Sequence, residues 1–253
     1  MTIAVRASPE YTAGPAPRRH DAELVAVEPV THDMRRFVLR TDAPAEFLPG
    51  QYVSVWVAGV AAPRNYSMAN LANAAGLWEI IVRHVPGGAA TGALFDAAGV
   101  GDRVAIDGPY GLATLRTDND RDIVCVAGGS GLAPMLSIAR GASQAGLLRT
   151  HRLHFFYGAR TPSDVCGGAE LAELGTSGLE FHPVVSTPAD DHGQPWEGAT
   201  GFVHAAACTA LADRLRDLEW YCAGPPPMTQ ALQSELVLER DVPVGQIHFD
   251  RFF

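Results

Sequence analysis

The sequence predicts two unlike domains in tandem: an antiparallel β-sandwich or small barrel, then a parallel sheet covered by helices on both faces. Three observations predict it. Short strand signals bounded by Pro, Gly, Asn or Asp recur through the first hundred residues with little helical periodicity. The texture changes at the polar stretch Thr117-Asp118-Asn119-Asp120. Beyond it, apolar strand signals alternate with helical ones, the pattern of a doubly wound sheet.

Taken in order, residues 1–20 read as a flexible tail or linker. Ser8-Pro9, Gly14-Pro15 and Ala16-Pro17 break regular structure there, and Arg18-Arg19-His20 reads as a solvated cluster. The first domain is assigned to 21–117, with strands expected at Ala22–Val27, Arg35–Arg40, Gln51–Val57, Trp78–Val85 and Arg103–Asp107. The turns Leu48-Pro49-Gly50-Gln51 and Gly108-Pro109-Tyr110-Gly111 punctuate them. One helix is expected here, opened by Thr91 as N-cap after the loop Pro86-Gly87-Gly88-Ala89-Ala90. The second domain is assigned to 118–253. Its strands are expected at Asp122–Ala127, Arg152–Tyr157, Glu180–Val185 and Glu219–Cys222, and its helices at Ala133–Gln144, Ala169–Leu174, Ala205–Leu215 and Met228–Glu239.

Composition excludes several function classes. With 47% hydrophobic and 19% charged residues, the 253-residue chain is foldable and globular. A net charge of −9 repels nucleic acid and anionic membranes. All 19 basic residues are Arg, which rules out lysine Schiff-base chemistry. Cys125, Cys166, Cys208 and Cys222 contain no C-x-x-C, so neither a cysteine zinc site nor a cysteine-ligated iron–sulfur cluster is expected, and no metal ligand set is assigned. No apolar run reaches the ~18 residues of a membrane span, no signal-peptide layout opens the chain, and scattered cysteines fit a cytoplasmic location.

Three stretches carry chemistry. Arg64-Asn65-Tyr66-Ser67 packs a guanidinium, a ring and a hydroxyl into four residues, and Arg is the side chain best shaped to grip a phosphate. Ile123–Ala127 runs into Gly128-Gly129-Ser130-Gly131-Leu132-Ala133-Pro134, a buried strand, a glycine turn and a helix start, which together suit a pyrophosphate. This is not the G-x-G-x-x-G fingerprint of the common dinucleotide dehydrogenases. Cys222-Ala223-Gly224-Pro225 repeats the strand-to-turn logic, and Gly128 and Cys222 would both lie at carboxyl ends of strands, where such sheets bind ligands.

In this order, R-x-Y-S, G-G-x-x-[ST], G-P-x-G, G-G-x-G-x-x-P and C-x-G-P-x-x-M resemble the ferredoxin–NADP reductase-like flavoproteins. The chain is most similar to the reductase components of bacterial multicomponent monooxygenases and dioxygenases. The resemblance covers about residues 22–253 and implies an antiparallel Greek-key FAD-binding barrel before an NAD(P)-binding domain. It implies that Arg64 holds the FAD pyrophosphate, with Asn65 beside it on the same strand. Tyr66 should lie against the isoalloxazine, and Ser67 should bond flavin N5 in the catalytic step. Val82, Arg83 and His84 should touch the flavin and ribityl region, while Gly88, Ala90 and Thr91 hold the pyrophosphate. Gly129, Ser130, Gly131 and Pro134 should shape the nicotinamide cofactor's phosphate cradle. The catalytic Cys222 should frame the nicotinamide with Gly224 and Pro225. The terminal Phe249-Asp250-Arg251-Phe252-Phe253 resembles the aromatic ending that covers the flavin, with Phe253 as the assigned residue. Ser186 is followed by Asp190 and Asp191, which repel a 2′-phosphate and favour NADH, while Arg160 keeps NADPH open.

The C-x4-C-x2-C pattern of a plant-type ferredoxin domain is absent. Either this is an excised domain whose Pro-rich start is a linker remnant, or its iron–sulfur partner is separate. The implied activity is NADH oxidation through FAD, with single electrons passed to a [2Fe–2S] ferredoxin or ferredoxin domain that feeds an oxygenase, a monooxygenase before a dioxygenase. Two alternatives stay open: a stand-alone NAD(P)H:flavin reductase, and a non-catalytic electron-relay or nucleotide-sensing module.

Overall fold

Alternation of inward and outward residues shapes the first half of the chain. In the computed structural model, which describes residues 14–189 and 196–251, Arg18–Pro29 (β1), Met34–Thr41 (β2), Tyr52–Trp56 (β3), Arg64–Ser67 (β4), Leu77–Arg83 (β5) and Arg103–Tyr110 (β6) pair antiparallel. In β2, Phe37 and Leu39 are buried while Arg40 points to water, the period of two that a strand imposes. The strand order β4-β3-β6-β1-β2-β5 is of Greek-key type, and a bridge between Met68 and Ile80 nearly closes the barrel. Phe37, Trp78, Met68 and Ile106 fill it.

Two expectations are corrected in this half. The strand β1 begins at Arg18, so three residues assigned to the tail pair with Ile106–Gly108 of β6. Ladder hydrogen bonds and the Arg19 guanidinium over the Trp56 ring, 5.0 Å away, outweigh the solvation of this basic cluster. The helix Ala89–Gly92 (α1) starts two residues before Thr91, which therefore does not cap it. The Thr91 hydroxyl instead accepts the Val85 N–H at 3.1 Å and faces the Val85 and Gly88 carbonyls, stapling the loop to the strand end.

The second half is a parallel sheet in the order β10-β9-β8-β7-β11-β12. It comprises Asp122–Gly128 (β7), Leu153–Ala159 (β8), Leu179–Val185 (β9), Ala199–Thr200 (β10), Leu218–Gly224 (β11) and Ile247–Arg251 (β12). The central strands are continuously apolar because helices cover both faces. Ile123, Cys125 and Ala127 of β7 pack under Leu132–Gln144 (α2) and Gly168–Ala172 (α3). Val124 and Val126 pack under Val203–Ala210 (α4) and Pro226–Ser234 (α5). The strand β12 was not foreseen as a strand. Its sequence is short and polar-interrupted, and the open edge of β11 supplies its pairing from Trp220 through Gly224.

The barrel and the sheet are fastened through α2. Ser137 Oγ donates to the Asn70 carbonyl at 2.8 Å, and Arg140 donates to that of Ala69 at 2.8 Å. Arg36 reaches Glu170 at 2.5 Å across the same seam. Among the described residues, no helix is long and apolar enough to cross a membrane.

Candidate functional site

At the carboxyl ends of β7 and β11 the backbone comes too close for side chains. A Cβ on Gly131 would stand 2.1 Å from the Ala223 carbonyl oxygen, and one on Gly128 would stand 2.7 Å from Met228 Sδ. Gly224 adopts a φ of 152° against Gly128. Glycine is therefore a packing requirement here, and the turn Gly129–Gly131 is held open toward the barrel. Gly129 faces Arg83, whose Nη1 is 3.4 Å from where a Cβ would be.

Between this turn and the barrel lies a cleft of about 780 Å³. All four residues of β4 line it, together with Gly88 through Thr91, Ser130 and Asp250. That volume lies within the ~300–1,000 Å³ of small-molecule sites. A smaller recess of about 30 Å³ beside it is lined by Arg83, Gly129 and Arg160.

The side chains facing the cleft differ in how firmly they are held. Arg64 is exposed and donates to the Ala62 and Pro63 carbonyls, at 3.1 and 3.0 Å. Among the described residues no carboxylate pairs with it, so its fork is available to an anion. Asn65 accepts a bond from Ser54 Oγ at 2.8 Å. Burial pushes the Tyr66 phenol up to about 12, against the opposing charge of Arg64. Ser67 is buried, and its hydroxyl donates to the carboxylate of Asp250. Burial raises the proton affinity of that carboxyl, and the Ser67 bond only partly offsets it. Arg83 is held by Asp33 at 2.6 Å. Burial by itself would raise Asp33, but hydrogen bonds from Arg83 and Thr31 and the Arg83 charge hold it below the usual carboxylate range.

Several expected residues lie elsewhere. Val82 points into the barrel core, and its neighbours Ile81 and Arg83 take the cleft face, because adjacent strand residues alternate. The His84 ring packs tilted against Phe95, 5.1 Å between centroids, and does not line the cleft. Pro134 is buried within the first turn of α2. Cys222 does not face the cleft. On β11, Tyr221 and Ala223 take the α2 face and Cys222 the opposite one, where it is fully buried among Val124, Val126 and Leu232. That burial pushes its thiol far above the ordinary cysteine range. Pro225 is exposed at the start of α5. Ser186 is exposed, with its hydroxyl 3.4 Å from the Arg160 carbonyl. Phe253, Asp190 and Asp191 lie outside the described residues. The residues that sequence reasoning passed over are Asp250, Asp33 and Ile81. No local pattern marks Asp250, whose partner Ser67 is 183 positions away.

Comparison with known proteins agrees with this geometry. Residues 21–114 match the oxidoreductase FAD-binding domain family and residues 125–234 the oxidoreductase NAD-binding domain family. The chain is 38% identical over 257 residues to the ferredoxin–NAD(P)+ reductase CarAd of Metapseudomonas resinovorans, covering all of this chain and 75% of that protein. It is 40% identical over 256 residues to the ferredoxin–NAD+ reductase component of the alkene monooxygenase system of Xanthobacter autotrophicus, again covering all of this chain and 75% of the relative. Among solved structures, the ferredoxin reductase in carbazole 1,9a-dioxygenase superposes with a TM-score of 0.86 at 36% identity, over 95% of this chain and 71% of that one. With its barrel, its glycine turn and this identity along its whole length, the chain belongs to the ferredoxin–NAD(P) reductase family, flavoenzymes that bind FAD and NAD(H).

Proposed function

We propose that this chain is the reductase of an oxygenase system, taking hydride from NADH and delivering single electrons through FAD to a [2Fe–2S] protein. The observation that carries the reading is one cleft of about 780 Å³ onto which both the R-x-Y-S strand and the glycine turn open. The residues present fit FAD on two counts. The Arg64 fork has no carboxylate partner among the described residues, and the Gly88 turn leaves room that a Cβ, 2.7 Å from Thr91 Oγ1, would fill. When bound, FAD supplies the conversion of a two-electron hydride into single electrons.

The chain's own residues then bind, orient and exclude water. Arg64 would hold the pyrophosphate through its guanidinium fork, with the Gly88–Thr91 loop lining the same cleft. Tyr66 stays a neutral phenol throughout the physiological range, so it offers an uncharged face for stacking. Ser67 Oγ is oriented by Asp250, and that pair would have to share or release its hydrogen bond when a ring nitrogen comes to Ser67. Arg83, fixed by Asp33, stands between the two cofactor regions without spending its charge on solvent. Gly129, Ser130 and Gly131 offer backbone to the nicotinamide nucleotide's phosphates, and Gly224 leaves space beside them. Cys222 acts from the core, filling the layer beneath the strand end, rather than as a group in the cleft.

The boundary between the two cofactor domains falls within the connector from Gly111 to Arg121, between β6 and β7. A ferredoxin partner and an oxygenase are inferred from the relatives, which serve both a carbazole dioxygenase and an alkene monooxygenase. Arg36 contributes little to a basic docking patch, because Glu170 and Glu28 already engage it. The test combines a visible spectrum with cytochrome c reduction. The purified chain should hold about one FAD that bleaches faster with NADH than with NADPH. It should reduce cytochrome c slowly until a [2Fe–2S] protein is added, and that stimulation should fall with salt. Rapid reduction that no added ferredoxin changes would favour the free-flavin reductase reading.

A further inference from the structure

We propose that His154, Glu180 and His182 form a binding site for a divalent transition-metal ion, with zinc the best chemical fit, on the face of the second domain away from the flavin cleft. Parallel pairing sets His154 beside Glu180 and Phe156 beside His182. The three side chains therefore share the α4 face of adjacent strands. They stand toward the amino ends of β8 and β9, whereas the cleft is at the carboxyl ends.

The donor geometry suits a metal. Glu180 Oε2 lies 3.1 Å from His154 Nδ1 and 3.6 Å from His182 Nε2. One ligand atom from each residue falls within 4.8 Å of the other two. Tetrahedral donors held 2.0–2.1 Å from zinc are about 3.3 Å apart, so little movement is needed. The site is also short of hydrogen bonds. His182 Nε2, the atom that faces Glu180 Oε2, is buried without a hydrogen-bond partner, a costly arrangement that a metal would relieve. His154 is only 8% exposed.

The surroundings hold the ligands in place. Arg152 binds the other carboxylate oxygen, Oε1, at 3.2 Å and leaves Oε2 to the imidazoles. The His182 ring stacks on Phe156 at 4.5 Å, with 18° between planes. Such outer contacts orient metal ligands. Two imidazoles and one carboxylate select zinc-like ions over magnesium or calcium, and the half-exposed side of Glu180 and His182 leaves a coordination position for water.

A second cluster, His32, Asp33 and Asp164, supplies the control. Its central carboxylate is already held by Arg83 at 2.6 Å, and a cation there would face that guanidinium.

The experiment titrates zinc into untagged, chelator-treated full-length chain by calorimetry, with cobalt(II) as an optical probe. One zinc per chain is expected, together with a rise in Tm and a tetrahedral cobalt spectrum free of thiolate bands. His182→Gln, at a half-exposed position, should keep its circular dichroism. It should weaken zinc binding by more than the roughly 10–100-fold that loss of an outer partner costs, and Glu180→Gln should act likewise. His32→Gln should bind zinc as the parent does. The proposal is overturned if the parent binds no zinc, if His182→Gln binds as tightly as the parent, if His32→Gln is the variant that loses binding, or if thiolate bands place the ion on cysteine.

Discussion

The two walls of the cleft are built on different principles. The barrel wall presents side chains: Arg64, Tyr66, Ser67 and Arg83 project from strands whose backbone is occupied in the ladder. The opposite wall presents backbone: Gly131 stands against Ala223, and Gly128 and Gly224 against Met228, where an added Cβ would come within 2.7 Å or less. Binding and folding are thus separable on the first wall and joined on the second. A side chain can leave the barrel wall without disturbing the strand that carried it. A methyl group cannot enter the glycine wall without pushing two strand ends apart.

The largest expected effect tests the glycine wall. Gly131→Ala places a methyl group against a carbonyl that cannot rotate away, and should destabilise the protein by about 3 kcal/mol or more. Urea unfolding of the flavin-free chain measures it, and a loss below 1 kcal/mol would mean that the wall is not rigid.

Next comes Arg64→Ala, the matching test of the barrel wall. FAD affinity should fall by ~2–4 kcal/mol, while the stability of the flavin-free chain stays within about 0.5 kcal/mol of the parent. Equal losses of affinity and stability would erase the distinction between the walls.

Two carboxylates sharpen the comparison through their opposite signs. The proton affinity of Asp250 is raised by burial, so its ionisation works against the fold at neutral pH. Asp250→Asn should therefore stabilise the flavin-free chain at pH 7 by roughly 1 kcal/mol, about 2–4 °C in Tm. The gain should shrink as pH falls through the raised folded value and be gone below the ordinary aspartate value of about 3.9, where the parent's carboxyl is protonated in both states. A Tm difference that does not change with pH would mean that the substitution acts by shape alone.

Asp33 should do the reverse, and by less. Its proton affinity is depressed, so it stabilises the fold above the unfolded aspartate pKa of about 3.9 and loses that contribution as pH falls through its lower folded value. With both partners partly exposed, Asp33→Asn should cost about 0.5 kcal/mol at pH 7. That cost should fade in acid and in high salt. A loss that grew on acidification would contradict the pairing with Arg83.

Much of this molecule was legible before any coordinates. The change of texture at Thr117 separated two modes of periodicity, because strand alternation and strand–helix alternation leave different marks on a sequence. Five short motifs in order carried the resemblance that implied the cofactors, since phosphate-binding turns need particular residues at particular spacings. Contact across the fold was not legible. Tyr66 and Ser67 could be assigned to a ligand, but nothing local pairs Ser67 with Asp250, and the last strand shows only once β11 offers its edge.

The sequence by itself determined the order of the two domains, most of their strands and helices and, through the resemblance its motifs carry, the two cofactor classes, because these rest on residues within a few places of one another. The tertiary structure decided which residue of each alternating pair meets the cleft. Period-two patterning is indifferent to parity. Val82 against Ile81, and Cys222 against Ala223, read alike until a barrel closes on one face and helices cover the other. The same holds for charge. Only folding could commit Arg83 to Asp33 and Arg36 to Glu170 while leaving Arg64 without a carboxylate partner among the described residues, because ion pairs follow distance in space rather than separation along the chain.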